Sequence, residues 1–313
     1  MKRFRQSVAA AAKQAWRPLL MAGLFFCIYM ATQFLVTWIL ILAFAFSYVA
    51  LGMQQIFLAI AGGAAITDAA YEELVRQLVS DAMEASLALS NLISFAAAII
   101  TVAVLYLVFA LRGRRLREAV WCKKTPAPDL FLCLLGGAAL NFFASCVLSV
   151  IPFPESWLTD YTESSAVVSA GPAVIVFLAT VVAAPVLEEI VFRGLIYNRL
   201  RDGMPIPVAA LISSAVFAVL HGSPIWICYT LVFGLLLVAV YERTGSIFTN
   251  IALHVGFNLF GILSALIPER VLNNTAAFIS LFILSGILGI TALVYVFWRN
   301  RATPRQLRGS TRL

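Results

Sequence analysis

The sequence predicts an all-α membrane protein, a polytopic bundle of about eight transmembrane helices. Of its 313 residues, 62% are hydrophobic and only 12% are charged, about half the charged fraction of an ordinary soluble domain. The apolar residues form long continuous runs, whereas a lipid-facing β-barrel would alternate apolar and polar residues. This composition excludes an ordinary soluble enzyme, a disordered chain and a disulfide-stapled secreted module.

Eight apolar segments are candidates for membrane spans, each of which needs about 20 residues of helix. No internal repeat or low-complexity linker separates them, so we expect residues 1–313 to form a single membrane domain. The predicted spans are residues 19–50, 91–111, 130–151, 171–187, 207–221, 224–241, 247–266 and 276–298. The first run exceeds the apolar core of about 7–15 residues found in signal peptides, which predicts a retained first helix.

Two segments between the first and second spans need a different interpretation. Residues 52–66 are apolar but too short to span the bilayer. Residues 71–89 place Leu74 and Leu78 opposite an acidic face. That pattern is typical of an amphipathic helix lying on a membrane surface. We therefore expect a short apolar segment followed by a separate helix on the outer surface.

The distribution of basic residues predicts the orientation. The net charge is +7, with 22 Lys and Arg against 15 Asp and Glu. If the N-terminus is cytoplasmic, 20 of the 22 basic residues fall on cytoplasmic segments, and only Arg76 and Arg270 lie outside. The positive-inside rule then predicts a protein of the cell membrane with both termini on the cytoplasmic side. It explains the charge more simply than nucleic-acid binding, and the tail after Arg299 is expected to contact anionic lipid.

The cysteines carry no metal or disulfide signature. The five of them show no CxxC spacing, and most lie within apolar runs. We expect them to be small buried hydrophobic residues and not a disulfide or zinc set. They are Cys27, Cys122, Cys133, Cys146 and Cys228.

Three motifs place ionisable or amide groups inside apolar segments, where such groups are costly and therefore candidates for function. The motifs are EExxxR at residues 188–193, FxxxH at residues 217–221 and HxxxN at residues 254–258. With a rise of about 1.5 Å per residue, Glu188, His221 and His254 all lie roughly 14–21 Å from the cytoplasmic ends of their helices. This shared depth is what a common active site would require.

The spacing within each motif suggests a role for each residue. Glu189 and Arg193 are four residues apart and share a helix face, so a salt bridge between them is expected as a structural brace. Glu188 points about 100° away from Glu189 and is free to act as a general base. His254 and Asn258 also share a face and could together donate hydrogen bonds to an oxyanion.

Other interpretations of these motifs remain open. In a soluble protein EExxxR is commonly a solvated salt-bridge ladder, and a lone membrane histidine often only bonds to a neighbouring helix. The same residues could serve a non-proteolytic scaffold that regulates a partner. Buried Glu and His could also form the proton relay of a transporter, and the break at Gly222-Ser223-Pro224 would suit a discontinuous transporter helix. Against transport, no inverted repeat is visible.

The three motifs in this order resemble the CAAX protease and bacteriocin-processing family of intramembrane proteases, also called CPBP or Abi. The prenyl-CAAX endopeptidase of eukaryotes is a member. The resemblance covers residues 170–262 and extends to the flanking segments FRGLIYNRL and YERTGSIFTNIALH. It implies a catalytic core in these residues and an endopeptidase acting on a membrane-associated, prenylated or peptide substrate.

The resemblance also implies the site. Glu188 matches the family's base, which activates a water together with the residue matching His221. His254 and Asn258 match its oxyanion-stabilising pair. The candidate catalytic residues are Glu188, Glu189, His221, His254 and Asn258, with Arg193 as the structural brace.

The family is described both as glutamate-type and as metal-dependent. We favour water activated by glutamate, which requires no cofactor. Zinc stays possible with His221, His254 and Glu188 as candidate ligands, although this is not the HExxH arrangement. The expected partners are a peptide or lipidated protein and the lipid bilayer, without nucleic acid, and the oligomeric state is open.

Overall fold

The computed structural model describes residues 2–62 and 67–300, with side chains described from residue 16 onward except for residues 59 and 68. Helices joined by turns and loops make up this part of the chain, and its β-structure is limited to one isolated bridge between Cys122 and Ser246. Its helices are α1 (Lys2–Ala61), α2 (Asp68–Leu111), α3 (Leu116–Ala119), α4 (Ala127–Ser149), α5 (Glu155–Ser169), α6 (Ala173–Gly203), α7 (Ile206–Val219), α8 (Pro224–Thr244), α9 (Ile247–Leu263), α10 (Glu269–Leu272) and α11 (Thr275–Arg299).

Seven of the described helices are long and apolar enough to cross a membrane, and α7 is a shorter apolar helix of 14 residues. The prediction of an all-α bundle with about eight membrane helices is therefore confirmed. The basic tail, on which the expected contact with anionic lipid depends, begins at residue 301 and lies outside the described residues. The cytoplasmic placement of the termini stays a prediction.

The prediction of two separate segments between the first two spans is wrong. Helix α1 continues without interruption to Ala61, and residues 71–89 are the first half of α2. The reason is that part of the apolar side of residues 71–89 packs on α1, with Leu74 and Leu78 half-buried. At the contact, a Cβ on Gly52 would lie 2.8 Å from Cδ1 of Leu78. Residues 63–66, the end of the predicted short segment, lie outside the described residues.

A further helix, α5, occupies the acidic segment between α4 and α6, a segment that lies between two of the predicted membrane spans. Its C-terminal end is fixed by Asn91 of α2, whose side-chain amide donates to the carbonyl of Val168 at 3.0 Å and to that of Ala170 at 2.8 Å. These bonds satisfy carbonyl groups that the helix end would otherwise leave unpaired. They connect the C-terminal end of α5 to α2.

Helix α6 departs from α-helical geometry at two places. Residues Phe177–Ala183 and Glu189–Tyr197 are π-helical, and all residues from 191 to 200 are buried. Such wider turns are rare in proteins and concentrate at functional sites. The second π-helical stretch includes Glu189 and Arg193, so the EExxxR motif lies in the most enclosed part of the bundle.

Helices α4 and α9 approach each other closely through a pair of glycines. A Cβ on Gly256 would lie 1.9 Å from the carbonyl oxygen of Leu134, and a Cβ on Gly137 would lie 1.9 Å from that of Leu253. Small residues at helix crossings allow such backbone contact in membrane proteins. The contact fixes the position of α9, which carries the HxxxN motif.

The expectation for the cysteines holds in part. All five are free thiols. Only Cys133 and Cys146 are buried; Cys27, Cys122 and Cys228 are exposed, so their description as buried hydrophobic residues is wrong. Cys27 and Cys228 lie on outward-facing positions of apolar helices, where a small apolar side chain needs no protein neighbour.

Candidate active site

The structure brings the three sequence motifs together on α6, α7 and α9. The imidazole of His254 lies between the two glutamates, with Nδ1 2.9 Å from Oε1 of Glu189 and Nε2 3.6 Å from Oε2 of Glu188. His221 interacts electrostatically with both Glu188 and His254. The ring of Phe217 lies 4.8 Å from the His221 ring and 6.0 Å from the His254 ring, centroid to centroid.

Glu189 is fully buried and surrounded by donors. Its Oε1 accepts from Nη1 of Arg193 at 3.0 Å and from Nδ1 of His254 at 2.9 Å, while its Oε2 accepts from Nδ2 of Asn250 at 3.1 Å. A buried carboxylate is tolerated only with such charge-assisted bonds. Glu189 is therefore held in one orientation with little freedom to react.

Arg193 is enclosed as completely as its partner. The ion pair expected from its four-residue spacing to Glu189 is present, and Nη2 also reaches the carbonyl of Gly234 at 3.4 Å. The guanidinium carbon lies 4.3 Å from the centroid of the Phe217 ring. Gly234 makes room for this side chain, because a Cβ there would lie 3.3 Å from Nη2.

Glu188 has the opposite environment from Glu189. Its side chain keeps 20% of its surface exposed, and its closest ionic neighbour is His254 at 3.6 Å. A distance of 3.6 Å is too long for a direct hydrogen bond. One of the two adjacent glutamates is thus fixed by protein groups, and the other retains access to a water or substrate.

Both histidines have a defined tautomer when neutral. Nδ1 of His221 lies 2.9 Å from the carbonyl oxygen of Phe217, an atom that can only accept. Nδ1 must therefore carry the proton, which leaves Nε2 as an acceptor. The same argument applies to His254, whose Nδ1 faces the Glu189 carboxylate. After His221 the chain turns at Gly222, whose φ of +78° suits glycine.

Asn258 anchors α9 to the first π-helical stretch of α6. Its side-chain amide donates to the carbonyl of Thr180 at 2.9 Å. An amide nitrogen has two hydrogens, so one donor remains for a second acceptor. The arrangement is compatible with the expected oxyanion role, which stays a prediction.

Sequence reasoning missed two residues at this site. Asn250 is fully buried and donates both to Glu189 and to the carbonyl of Leu237 at 2.8 Å. Its spacing of four residues before His254 was the available signal. Tyr29 of α1 packs edge-on against Phe192 with ring centroids 5.6 Å apart, and its phenol interacts electrostatically with Glu188. Nothing in the sequence around Tyr29 distinguishes it from other aromatic residues of an apolar helix.

The candidate zinc ligands do not form a metal site as they are placed. Among the residues that the structure describes, no three His, Cys, Asp or Glu side chains are arranged to hold a metal ion. A His2Glu site would need His221, His254 and Glu188 to converge on one point. We therefore derive no step through a metal, and the expectation of a cofactor-independent enzyme stays a prediction.

Comparisons with known proteins find a family similarity in the part of the chain that carries the motifs. Residues 170–260 match the family described as Type II CAAX prenyl endopeptidase Rce1-like. A Bacillus subtilis (strain 168) protein named "Putative membrane peptidase YdiL" is 32% identical over 104 residues, which are 33% of this chain and 42% of that protein. No solved structure matches. The resemblance predicted from the motifs is confirmed: residues 170–260, which contain every motif residue, are similar to the Type II CAAX prenyl endopeptidase Rce1-like family.

Proposed function

We propose that this protein is an intramembrane endopeptidase that hydrolyses a peptide bond of a membrane-associated, prenylated or peptide substrate, with water activated by Glu188. The observation that carries the proposal is the unequal environment of two adjacent glutamates. Glu189 is fully buried and accepts from three donor groups, whereas the Glu188 side chain is 20% exposed beside His254. A general base needs access to the proton that it removes.

The reaction follows from these positions. A water near Glu188 gives a proton to the carboxylate while its oxygen attacks the carbonyl carbon of the scissile bond. The carbonyl electrons move onto the oxygen and form a tetrahedral oxyanion. When the oxyanion collapses, the C–N bond breaks and the proton on Glu188 passes to the leaving amine. Nε2 of neutral His221 is an acceptor and can orient the water. Such acid–base assistance typically contributes about 10²–10⁴-fold in rate.

Two groups can donate to the oxyanion. One is the second amide hydrogen of Asn258, since the first is used by Thr180. The other is Nε2 of His254, which donates only when the ring carries both protons. Removing one oxyanion donor typically lowers kcat by about 10²–10³-fold.

The location of the site limits the substrate. Its residues lie on helices of high hydropathy, at a depth that a water-soluble loop does not reach. A scissile bond must therefore enter from the bilayer, on a membrane-inserted segment or next to a lipid anchor. The surroundings of Glu188 therefore favour an amphiphilic substrate. They do not select a particular amino-acid sequence.

The proposal is tested by incubating the purified protein in detergent with lipidated and membrane-segment peptides in H₂¹⁸O. We expect cleavage with one ¹⁸O in the new carboxylate, and loss of cleavage in Glu188→Ala. The activity should survive rigorous chelation. Stoichiometric zinc that is lost in both His221→Ala and His254→Ala would contradict the glutamate mechanism. The absence of cleavage of every peptide by a folded wild type would favour the scaffold function.

A further inference from the structure

A strongly basic segment lies across one face of the bundle and touches the helices that carry the site. This segment, here called the basic strap, comprises residues 112–124 and connects α2 to α4. Its only acidic residue is Glu118, and all its basic side chains are exposed. No ion pair of the described residues involves Arg115, Arg117, Lys123 or Lys124. The basic residues are Arg112, Arg114, Arg115, Arg117, Lys123 and Lys124.

The opposite side of the basic strap is apolar and packs on the motif-bearing helix α6. Val120 and Trp121 are buried. Val120 lies directly over Gly194, where a Cβ would come within 2.5 Å of its side chain. One turn further along α6, the amide of Asn198 donates to the carbonyl of Ala119 at 2.9 Å. The strap therefore contacts α6 immediately after Arg193.

The basic strap also holds the start of α9, the helix of His254 and Asn258. The backbone amide of Ile247 donates to the carbonyl of Trp121 at 3.1 Å. The hydroxyl of Ser246 donates to the carbonyl of Lys123 at 2.8 Å. These bonds satisfy groups at the N-terminus of α9 that no helix partner can reach. A single segment thus connects α6 and α9, two of the three helices that carry the proposed site.

The strap contacts α6 and the start of α9 in what is here called its docked position, and in this position it contains one unfavourable backbone conformation. Trp121 has a φ of +49°, the only positive φ at a non-glycine residue in the described chain, and such a conformation is unfavourable for a bulky side chain. It is offset by stacking on Tyr241 at 4.7 Å and by the guanidinium of Arg201, 5.1 Å from the Trp121 ring. An external ligand on the strap can therefore shift the balance between docked and undocked states.

We propose that the basic strap binds the phosphate groups of anionic phospholipids and that this binding holds α6 and α9 in their docked positions. The strap lies where α2 ends and α4 begins, which is the level of the lipid headgroups. Anionic headgroups are the phosphate source at that level, and one basic side chain near such a surface gains about fivefold in binding constant. The positive-inside rule accounts for basic residues on one face, but not for the attachment of the basic strap to both α6 and α9.

The test uses the full chain in nanodiscs of phosphatidylcholine, with or without about one-third phosphatidylglycerol, a fraction that supplies a strongly anionic surface. The readout is hydrogen exchange at the amide of Ile247, which reports docking without requiring peptidase activity. We expect slower exchange by at least about fivefold in the anionic nanodiscs, the gain from a single basic contact. Arg115→Gln/Arg117→Gln should lose this response, and Glu118→Gln should respond at a lower anionic fraction.

The matched control is Arg76→Gln/Arg270→Gln, which removes two exposed arginines near the ends of α2 and α9 that lie away from the strap, and it should respond like the wild type. The proposal would be overturned if the Ile247 amide of the wild type exchanged at the same rate in both nanodiscs. It would also be overturned if the control variant lost the lipid response as completely as Arg115→Gln/Arg117→Gln. Slowing by inorganic phosphate in phosphatidylcholine nanodiscs would assign the site to a soluble phosphate instead. An effect on cleavage rate rests on the proposed function: lipid-dependent protection without any cleavage supports the strap and contradicts the peptidase.

Discussion

Helices α6 to α9, three of which carry the motifs, differ from the long pair α1 and α2 in how much of their surface is buried by protein. In its most apolar stretch none of α1 is buried by protein, against 39% of α6 and 44% of α8. Helix α1 has 60 residues, about 90 Å of helix for a hydrocarbon layer of about 30 Å. Most of its residues need only be apolar, whereas most of those in the second half of α6 must fit specific partners. A sequence is informative where such partners are required.

The largest difference in stability between the two regions is expected when one arginine is removed from each. Arg193→Ala leaves the buried carboxylate of Glu189 without its cation, which in buried pairs costs about 3–5 kcal/mol. Arg76→Ala on α2 removes an exposed partner of Glu73, with a side chain 74% exposed, and should change stability by less than about 0.5 kcal/mol. Thermal unfolding in detergent measures both.

A double variant distinguishes lost charge balance from lost packing. In Glu189→Ala/Arg193→Ala neither charge remains, so part of the stability lost in Arg193→Ala should return. Equal destabilisation by Arg193→Ala and Arg76→Ala would show that the two regions do not differ in this way.

The next effect concerns catalysis and not folding. Asn258→Ala removes an amide that can donate to the oxyanion and should lower kcat by about 10²–10³-fold with a small change in KM. The lost bond to Thr180 adds a modest loss of stability. Kinetics on the purified protein, beside a thermal melt, separate the two. An unchanged kcat would remove Asn258 from the mechanism.

Substitution of one glycine in each region compares how tightly the two regions are packed. Gly256→Ala places a Cβ 1.9 Å from the Leu134 carbonyl oxygen, and such overpacking costs typically about 1–3 kcal/mol. Gly23→Ala on α1 meets nothing within 4 Å, and it should stabilise that helix by about 0.5–1 kcal/mol, the difference between Gly and Ala in a helix interior. Opposite signs of the two changes in unfolding temperature are the expected result.

The smallest effect tests the contribution of α1 to the site. Tyr29→Phe keeps the ring that packs on Phe192 and removes the hydroxyl near Glu188. Because the hydroxyl acts on Glu188 only through electrostatics, its removal should lower kcat/KM by a few-fold at most. Tyr48→Phe, further along the same helix, is the matched control. Equal effects of the two substitutions would show that α1 does not act on the site.

The sequence identified the parts of the fold that depend on composition and on intramembrane polar groups. The helical class and the residues of the three motifs could be predicted because charges in apolar helices require partners. The continuity of α1 and α2 could not, since apolar length alone does not say whether a segment ends at the membrane surface or packs on a neighbour. The hydrogen bond of Asn250 to Glu189 depends on how α6 and α9 cross, which spacing along one helix does not reveal.

The different roles of Glu188 and Glu189 are tested most directly by two matched substitutions. Glu188→Gln and Glu189→Gln each remove one negative charge from adjacent positions and keep the size of the side chain. The experiment is to determine kcat and the unfolding temperature of both variants in the same detergent. Glu188→Gln should abolish cleavage and keep the stability of the wild type, while Glu189→Gln should be destabilised because the buried Arg193 loses its counter-ion. Normal turnover by Glu188→Gln, or equal stability of the two variants, would contradict the account.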